Sequence, residues 1–250
     1  MQITRVRLLP AQANEALEKF VFGGHYGPMR PPRGIAPPQV SEFVKRRAIL
    51  EGDADDLAKT MELVRFYERK DVVEPMLRLL TPAPSTPEEF RKQAIVCQIA
   101  GDFGEPAEIQ KAVQHVDNRL LGSLVVVQEV PYVFAALLAL APAGSLDPIE
   151  KCLKEEQKRL APLQRKSDQD LMAYDRVTAF LRNDLERTRS LIAAKKKYLA
   201  LKPDEGTPIL VKLYLSREGP PDPYLQVWAA RRVRGWALET SPEPARNEFR

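Results

Sequence analysis

From Gln39 to Glu239, apolar side chains recur three and four positions apart, with almost no period-two alternation and few β-branched clusters. A strand sends successive side chains to opposite faces, whereas a helix gathers positions i, i+3, i+4 and i+7 on one face. The pattern therefore restricts the chain to helix following helix, an all-α fold. It predicts helices near 39–51, 54–69, 71–81, 87–100, 106–117, 120–141, 147–160, 166–201, 206–217 and 222–239.

The helix starts carry matching punctuation. Thr86-Pro87, Asp147-Pro148, Thr207-Pro208 and Asp222-Pro223 each pair a capping side chain with a proline at the first helical position. The cap accepts a free N–H of the first turn, and proline has no N–H there to waste. Glu89 and Glu150 stand three residues after their caps, as a capping box requires. Gly101 follows Ile99-Ala100 where a left-handed residue would end the preceding helix.

Residues 23–38 run Gly-Gly-His-Tyr-Gly-Pro-Met-Arg-Pro-Pro-Arg-Gly-Ile-Ala-Pro-Pro, too rich in Gly and Pro for regular structure. Three regions follow: residues 1–38, a short helix near Gln12 to Phe22 plus this arm; residues 39–240, the helical body; and residues 241–250, a tail. With so little apolar surface to bury, the arm is expected to be mobile or held by a partner in trans.

Part of the pattern repeats. Val73 to Leu80 aligns with Ile109 to Val116 and with Ile149 to Glu156, apolar at the first, fourth and fifth places of each. The spacing between these copies is that of two-helix repeats. A fourth copy, Leu210 to Arg217, follows after a wider gap because the helix before it is longer.

The run Thr86 to Ile99, then Ala100-Gly101-Asp102-Phe103-Gly104-Glu105-Pro106-Ala107-Glu108-Ile109, resembles the HEAT-repeat pattern: helix, turn carrying Gly-Asp, proline-initiated second helix. Asp222-Pro223-Tyr224-Leu225-Gln226-Val227-Trp228-Ala229-Ala230 looks like the opening of another first helix of that family. The likeness covers residues 54–160 and 203–240; residues 1–40 and the segment 166–201 depart from it. The resemblance implies a HEAT-like α-α superhelix of stacked antiparallel pairs, second helices lining a concave face that binds macromolecules. Stacking also has a physical motive, since each pair bears an apolar face it cannot bury alone. In the long 166–201 helix, Leu171, Tyr174, Thr178, Leu181, Leu185, Thr188 and Ile192 form a 3-4 seam. Two threonines weaken such a seam as a free coiled coil, so packing against a helix of the same chain is expected.

Catalytic parts are sparse. The only histidines are His25, in the arm, and His115, on a helix, and the cysteines Cys97 and Cys152 sit apart inside apolar patterns. No Cys-His spacing, His-Glu-x-x-His or glycine-rich phosphate loop occurs, so nucleophile and metal chemistries lack their groups. The expectation is a non-enzyme with no cofactor and no metal. Glu51, Asp53, Asp55 and Asp56 lack the ligand alternation of a calcium loop and suit a helix N-terminus instead. Leu121 to Ala143 is long and apolar, but Gln128, Glu129 and Pro131 interrupt it, so a buried helix is expected rather than a membrane span. Glu129 reads as a groove or arginine-paired carboxylate, with a buried functional role the minor alternative. Cys97 and Cys152 read as buried hydrophobes of a reducing compartment, and the N-terminus lacks a signal-peptide pattern, which points to the cytoplasm.

Lys+Arg number 38 and Asp+Glu 34, a formal charge of +4. Basic clusters lie at Lys45-Arg46-Arg47, Lys195-Lys196-Lys197 and Arg231-Arg232 with Arg234. The second suits the negative end of its helix. The third is interleaved with Trp228 and Trp236, eight apart on one face, as in interaction surfaces or an aromatic core. In the repeat frame, Arg78, Gln114 and Lys154 share the sixth place and Lys111 and Lys151 the third, away from the apolar places on a helical wheel. The candidate binding residues are therefore Arg78, Lys111, Gln114, Lys151, Lys154, Trp228, Arg231 and Trp236. The favoured function is an adaptor or scaffold for a partner protein or peptide with an acidic surface. The alternative is a nucleic-acid-binding repeat similar to the HEAT-like DNA glycosylases, for which a charge of +4 over 250 residues is modest and no catalytic acid is assignable.

Overall fold

The structure, a computed structural model, describes residues 8–23, 31–49, 52–81, 83–116, 130–141, 154, 171–215, 217 and 222–240. The chain divides into two compact units, Met1–Leu140 and Ala141–Arg250. Among the described residues every regular element is helical: α1 (Pro10–Phe22), α2 (Pro37–Phe43), α3 (Ala54–Tyr67), α4 (Val73–Leu77), α5 (Pro87–Phe103), α6 (Pro106–His115), α7 (Val130–Ala139), α8 (Leu171–Leu199), α9 (Pro203–Tyr214) and α10 (Pro223–Thr240). The helix expected at 147–160 lies outside the described residues apart from Lys154, which is helical and exposed.

In the first unit, α3, α5 and α7 lie side by side and point the same way. Near the start of α5, the Glu88 carboxylate accepts the Ala54 N–H that opens α3, at 2.6 Å. Near the ends of the same two helices, Arg65 Nε donates to Asp102 Oδ2 at 2.8 Å. Likewise the Arg91 guanidinium stands 5.9 Å from the Tyr132 ring near the starts of α5 and α7, while Gly101 meets Ala139 and Leu140 at their ends. Between α3 and α5 the chain returns through α4, a single α-turn flanked by 3-10 turns at Lys70–Val72 and Arg78–Leu80. Thus 71–81 is not the continuous helix the spacing predicts. Pro75 contributes no N–H to the ladder.

Gly101 does not end a helix. α5 runs on to Phe103, and a Cβ at Gly101 would lie 2.3 Å from Ala139 C and 2.4 Å from Ala139 O. The glycine is the place where α5 and α7 approach backbone to backbone. Among the described residues of this unit, a left-handed residue ends a helix at Glu68, φ 52°, after α3. The Arg69 N–H reaches back to Val64 O at 3.0 Å, closing the Schellman-type end that such a residue permits.

The N-terminal segment belongs to the same unit. Lys59 Nζ donates to Val21 O at 2.8 Å, capping the C-terminal end of α1, and Arg47 pairs with Glu18 and stands 5.6 Å from the Phe22 ring. The mobility expected for 23–38 fails from Pro31 onward. Tyr67 Oη donates to Pro32 O, Leu8 N–H donates to Gly34 O at 2.9 Å, and Ile35 is buried. Pro37 and Pro38 open α2 rather than interrupt it, with Gln39 Oε1 accepting the Ala36 N–H. Residues 24–30, including His25, lie outside the described residues.

A polar knot joins α2 to the turn before α4. Asp71 accepts from Ser41 Oγ at 2.9 Å and Lys45 Nζ at 2.8 Å and pairs with Arg69 at 2.8 Å, while Arg69 Nε donates to Ser41 Oγ at 2.7 Å. Partial desolvation pushes the Asp71 pKa up, but the Lys45 and Ser41 hydrogen bonds and the Arg69 charge outweigh it, and the net shift is downward. A carboxylate with a depressed folded pKa adds stability above its unfolded pKa, and that contribution disappears as pH falls through the folded value. Asp71→Asn should therefore be less stable than the parent at pH 7, and the gap should close below about pH 4. Thermal melts of both proteins at pH 7 and pH 3 check this; a gap of equal size at both would remove Asp71 from the acid response.

The capping signals hold in part. Asp53 caps α3 through Asp56 N–H at 2.8 Å, and Asp56 returns to the Asp53 N–H, so two members of the acidic cluster are helix caps. Thr86 Oγ1 accepts the Glu89 N–H at 3.1 Å, but Glu89 turns back to Ser85 N–H and Oγ rather than completing a box with Thr86. Thr207-Pro208 is no start at all. α9 begins at Pro203, Pro208 lies inside it, and Thr207 Oγ1 bonds Pro203 O instead.

In the second unit α8 and α10 run parallel, with α9 reversed between them in sequence. Asp222 caps α10 through Tyr224 N–H at 2.9 Å and pairs with Arg187 of α8. At the far end Arg232 Nη2 donates to Leu199 O, the last residue of α8, at 2.9 Å. α9 is antiparallel to α10, since Gly206 near its start touches the Trp236 ring near the end of α10. Of the expected seam on α8, Thr188 and Ile192 are buried, and Lys195 and Tyr198 continue the stripe. The seam members from Leu171 to Leu185 have side chains outside the described residues.

Candidate binding surface

The first-unit candidates are all solvent-exposed. Arg78 follows α4 and pairs loosely with Glu74 at 3.3 Å, one helical turn away, where an exposed pair contributes little. Lys111 and Gln114 stand on the outer face of α6, opposite Ile109, Ala112 and Val113, which are buried. α4 and α6 pack against each other, so these three polar side chains belong to one pair of neighbouring elements. Lys154 is exposed in the second unit, and Lys151 lies outside the described residues.

Lys45-Arg46-Arg47, by contrast, is no open basic patch. It occupies a π-turn, Val44–Ala48, and each cation has a carboxylate of its own: Asp71, Glu42 and Glu18. Lys45 and Arg47 are engaged with other elements, whereas the Arg46–Glu42 pair, like Arg78–Glu74, is exposed and weak.

On α10 the two tryptophans are half-buried and belong to a ladder drawn from two helices. Tyr224, Trp228, Arg232 and Trp236 recur every four residues along one face. Lys195 of α8 is inserted between the first two: its Nζ donates to Tyr224 Oη at 2.7 Å and lies 5.1 Å from the Tyr224 ring and 5.9 Å from the Trp228 ring. The Arg232 guanidinium lies 5.8 Å from the Trp228 ring and 4.9 Å from that of Trp236. Cations over indole faces are worth about 0.5–2 kcal/mol each, more when water is excluded. The ladder fastens the C-terminal end of α8 along α10. Gly206 gives Trp236 its seat, since a Cβ there would lie 2.7 Å from the indole.

Lys195 is thus an interior residue rather than one of three cations at a helix end; Lys196 and Lys197 remain exposed. Its place is legible as the next step of the Leu171–Ile192 seam. Tyr224 and Arg232 are legible as the neighbours at four-residue spacing of Trp228.

Among the described residues the one thiol and the one imidazole take part in packing and hydrogen bonding. Cys97 is fully buried in α5, and burial pushes its thiol pKa well above the usual range, away from the nucleophilic thiolate. His115 Nε2 and Gln93 Oε1 are hydrogen-bonded at 2.7 Å, joining α6 to α5. Among the described residues no cluster of three His, Cys, Asp or Glu side chains could hold a metal ion, and no helix is long and apolar enough to cross a membrane. α7, the most apolar element, buries Val133, Phe134, Leu137 and Leu138; Glu129 lies outside the described residues. Comparison with family models, with curated proteins and with solved structures finds no match.

Proposed function

We propose that the chain is a non-catalytic helical-repeat adaptor or scaffold of HEAT-like architecture, which binds a partner protein or peptide with an acidic surface. The observation that carries this reading is the parallel arrangement of α3, α5 and α7. Their intervening short elements, α4 and α6, pack on one another and present Arg78, Lys111 and Gln114 to solvent. Parallel helices joined by return helices are the repeating unit of a solenoid, and solenoids use the exposed face of the return helices to bind. The carboxylate partners of Lys45 and Arg47 on other elements weigh against a phosphate-reading surface there.

The test is charge reversal at Arg78 and Lys111 together, both exposed in the first unit. Folding stability should change by no more than about 1 kcal/mol, since exposed charges contribute little, while affinity for an acidic partner falls at least tenfold. Equal affinity of parent and variant for that partner removes this surface as the site. A parallel titration with duplex and single-stranded DNA across salt concentrations tests the other class. Micromolar binding that weakens steeply with salt would overturn the protein-partner reading.

A further inference from the structure

α9 is apolar on two opposite faces. Gly206, Leu210 and Leu213 are buried toward the rest of the unit. On the far side of the wheel, Pro208, Val211 and Leu215 follow at intervals of three and four, with Tyr214 on the flank. Val211 is 39% exposed, Leu215 48% and Tyr214 51%. An amphipathic helix on a surface needs one apolar stripe, and a second, solvent-facing stripe calls for a covering partner.

The charges around that stripe say what the partner is. Asp204 and Glu205 are exposed at its N-terminal end, and Lys212 and Arg217 at its C-terminal end. An acidic helix laid on the stripe would meet Lys212 at one end and be repelled by Asp204 and Glu205 at the other. A second α9 laid antiparallel meets opposite charges at both ends. With Pro208 of one copy against Val211 of the other, Leu215 packs beside Asp204, and Lys212 faces Thr207. The Lys212 ammonium then has Glu205 only about 3 Å away along the axis, at a rise of 1.5 Å per residue. The same pairing recurs on the other side of the two-fold, as an isologous contact demands.

We infer that the outer face of α9 is a homodimer interface, two copies of the chain pairing α9 against α9 antiparallel across the Pro208–Val211–Leu215 stripe. This inference rests on a different surface from the one that binds the proposed partner. A single pair of twelve-residue helices lies below the roughly 1,200 Å² of a stable interface, so the dimer is a weak one, with a dissociation constant on the order of micromolar.

Sedimentation equilibrium of the full chain over a hundredfold range of concentration is the experiment. The parent should shift from monomer to dimer within that range. Leu215→Glu should weaken dimerisation more than tenfold while circular dichroism and melting temperature stay those of the parent. Glu205→Lys alone should weaken it about tenfold, since one substitution alters two symmetry-related contacts, and the double variant E205K/K212E should restore it. A parent that stays monomeric throughout overturns the inference, as does a dimer that tolerates Leu215→Glu or a double variant no better than E205K.

Discussion

Gly101→Ala is expected to destabilise the first unit by about 3 kcal/mol, the cost of forcing atoms into a packed contact. In an ordinary helix interior the same substitution would be stabilising by roughly 1 kcal/mol, because alanine loses less backbone entropy than glycine. The sign is reversed here by what the new methyl would meet. Its ideal position is 2.3 Å from Ala139 C, 2.4 Å from Ala139 O and 2.5 Å from Leu140 N. These are main-chain atoms, so no side chain can swing away, and α5 and α7 must move apart. Separating them disturbs two helices that carry many buried apolar residues, Ala94 and Cys97 on α5 and Ala136 and Leu137 on α7 among them. Chemical denaturation of parent and Gly101→Ala decides the matter. A variant as stable as the parent, or more so, would show that the two backbones do not approach in this way.

The same glycine shows what a sequence discloses and what it hides. The all-helical class is legible because it depends on spacing along one stretch of sequence. The starts of α5, α6 and α10 are legible because Thr86, Pro106 and Asp222 act on residues within one turn. Gly101 imitates a helix end in sequence because its true reason, the backbone at Ala139, belongs to a different helix. Thr207-Pro208 imitates a helix start whose true beginning, Pro203, lacks a capping side chain but has the proline and the acidic first turn of Asp204 and Glu205. The composition of the strap from Pro31 to Ala36 suggests mobility, yet the Tyr67 phenol, the Leu8 N–H and the buried side chain of Ile35 hold it.

The candidate surface divides in the same way. Lys111 and Gln114 are exposed because their outward direction follows from the helical period of α6, and Arg78 is exposed in the 3-10 turn after α4. The engagement of Trp228 and Trp236 with Lys195 and Arg232 depends on the register of α8 against α10. No local pattern in either helix states that register. Lys195 can be placed on a seam, but its aromatic partners, Tyr224 and Trp228, come from a helix separated from it in sequence by the whole of α9.

Asp102→Ala is expected to cost about 3–5 kcal/mol, the penalty for leaving one member of a buried ion pair without its counter-charge. Asp102 has a side chain only 3% exposed, and Arg65, 16% exposed, donates Nε to it at 2.8 Å. Desolvation opposes the charge on Arg65, but Asp102 and, more weakly, Glu62 hold the guanidinium pKa above its ordinary value. Glu62 is half-exposed, so it cannot replace the lost carboxylate. In a unit of this size each 1 kcal/mol corresponds to about 2–4 °C, so the melting temperature should fall by roughly 10 °C. Removing both charges separates the pair from the packing. Arg65→Met with Asp102→Leu fills the same space with apolar groups and should recover most of the loss, because the desolvation of both ions disappears along with their attraction. A double variant no more stable than Asp102→Ala would mean that Asp102 acts through the geometry of the α5 end rather than through Arg65. A fall of less than about 2 °C in Asp102→Ala itself would mean that water reaches the pair, and that the join between α3 and α5 rests on their apolar contacts alone.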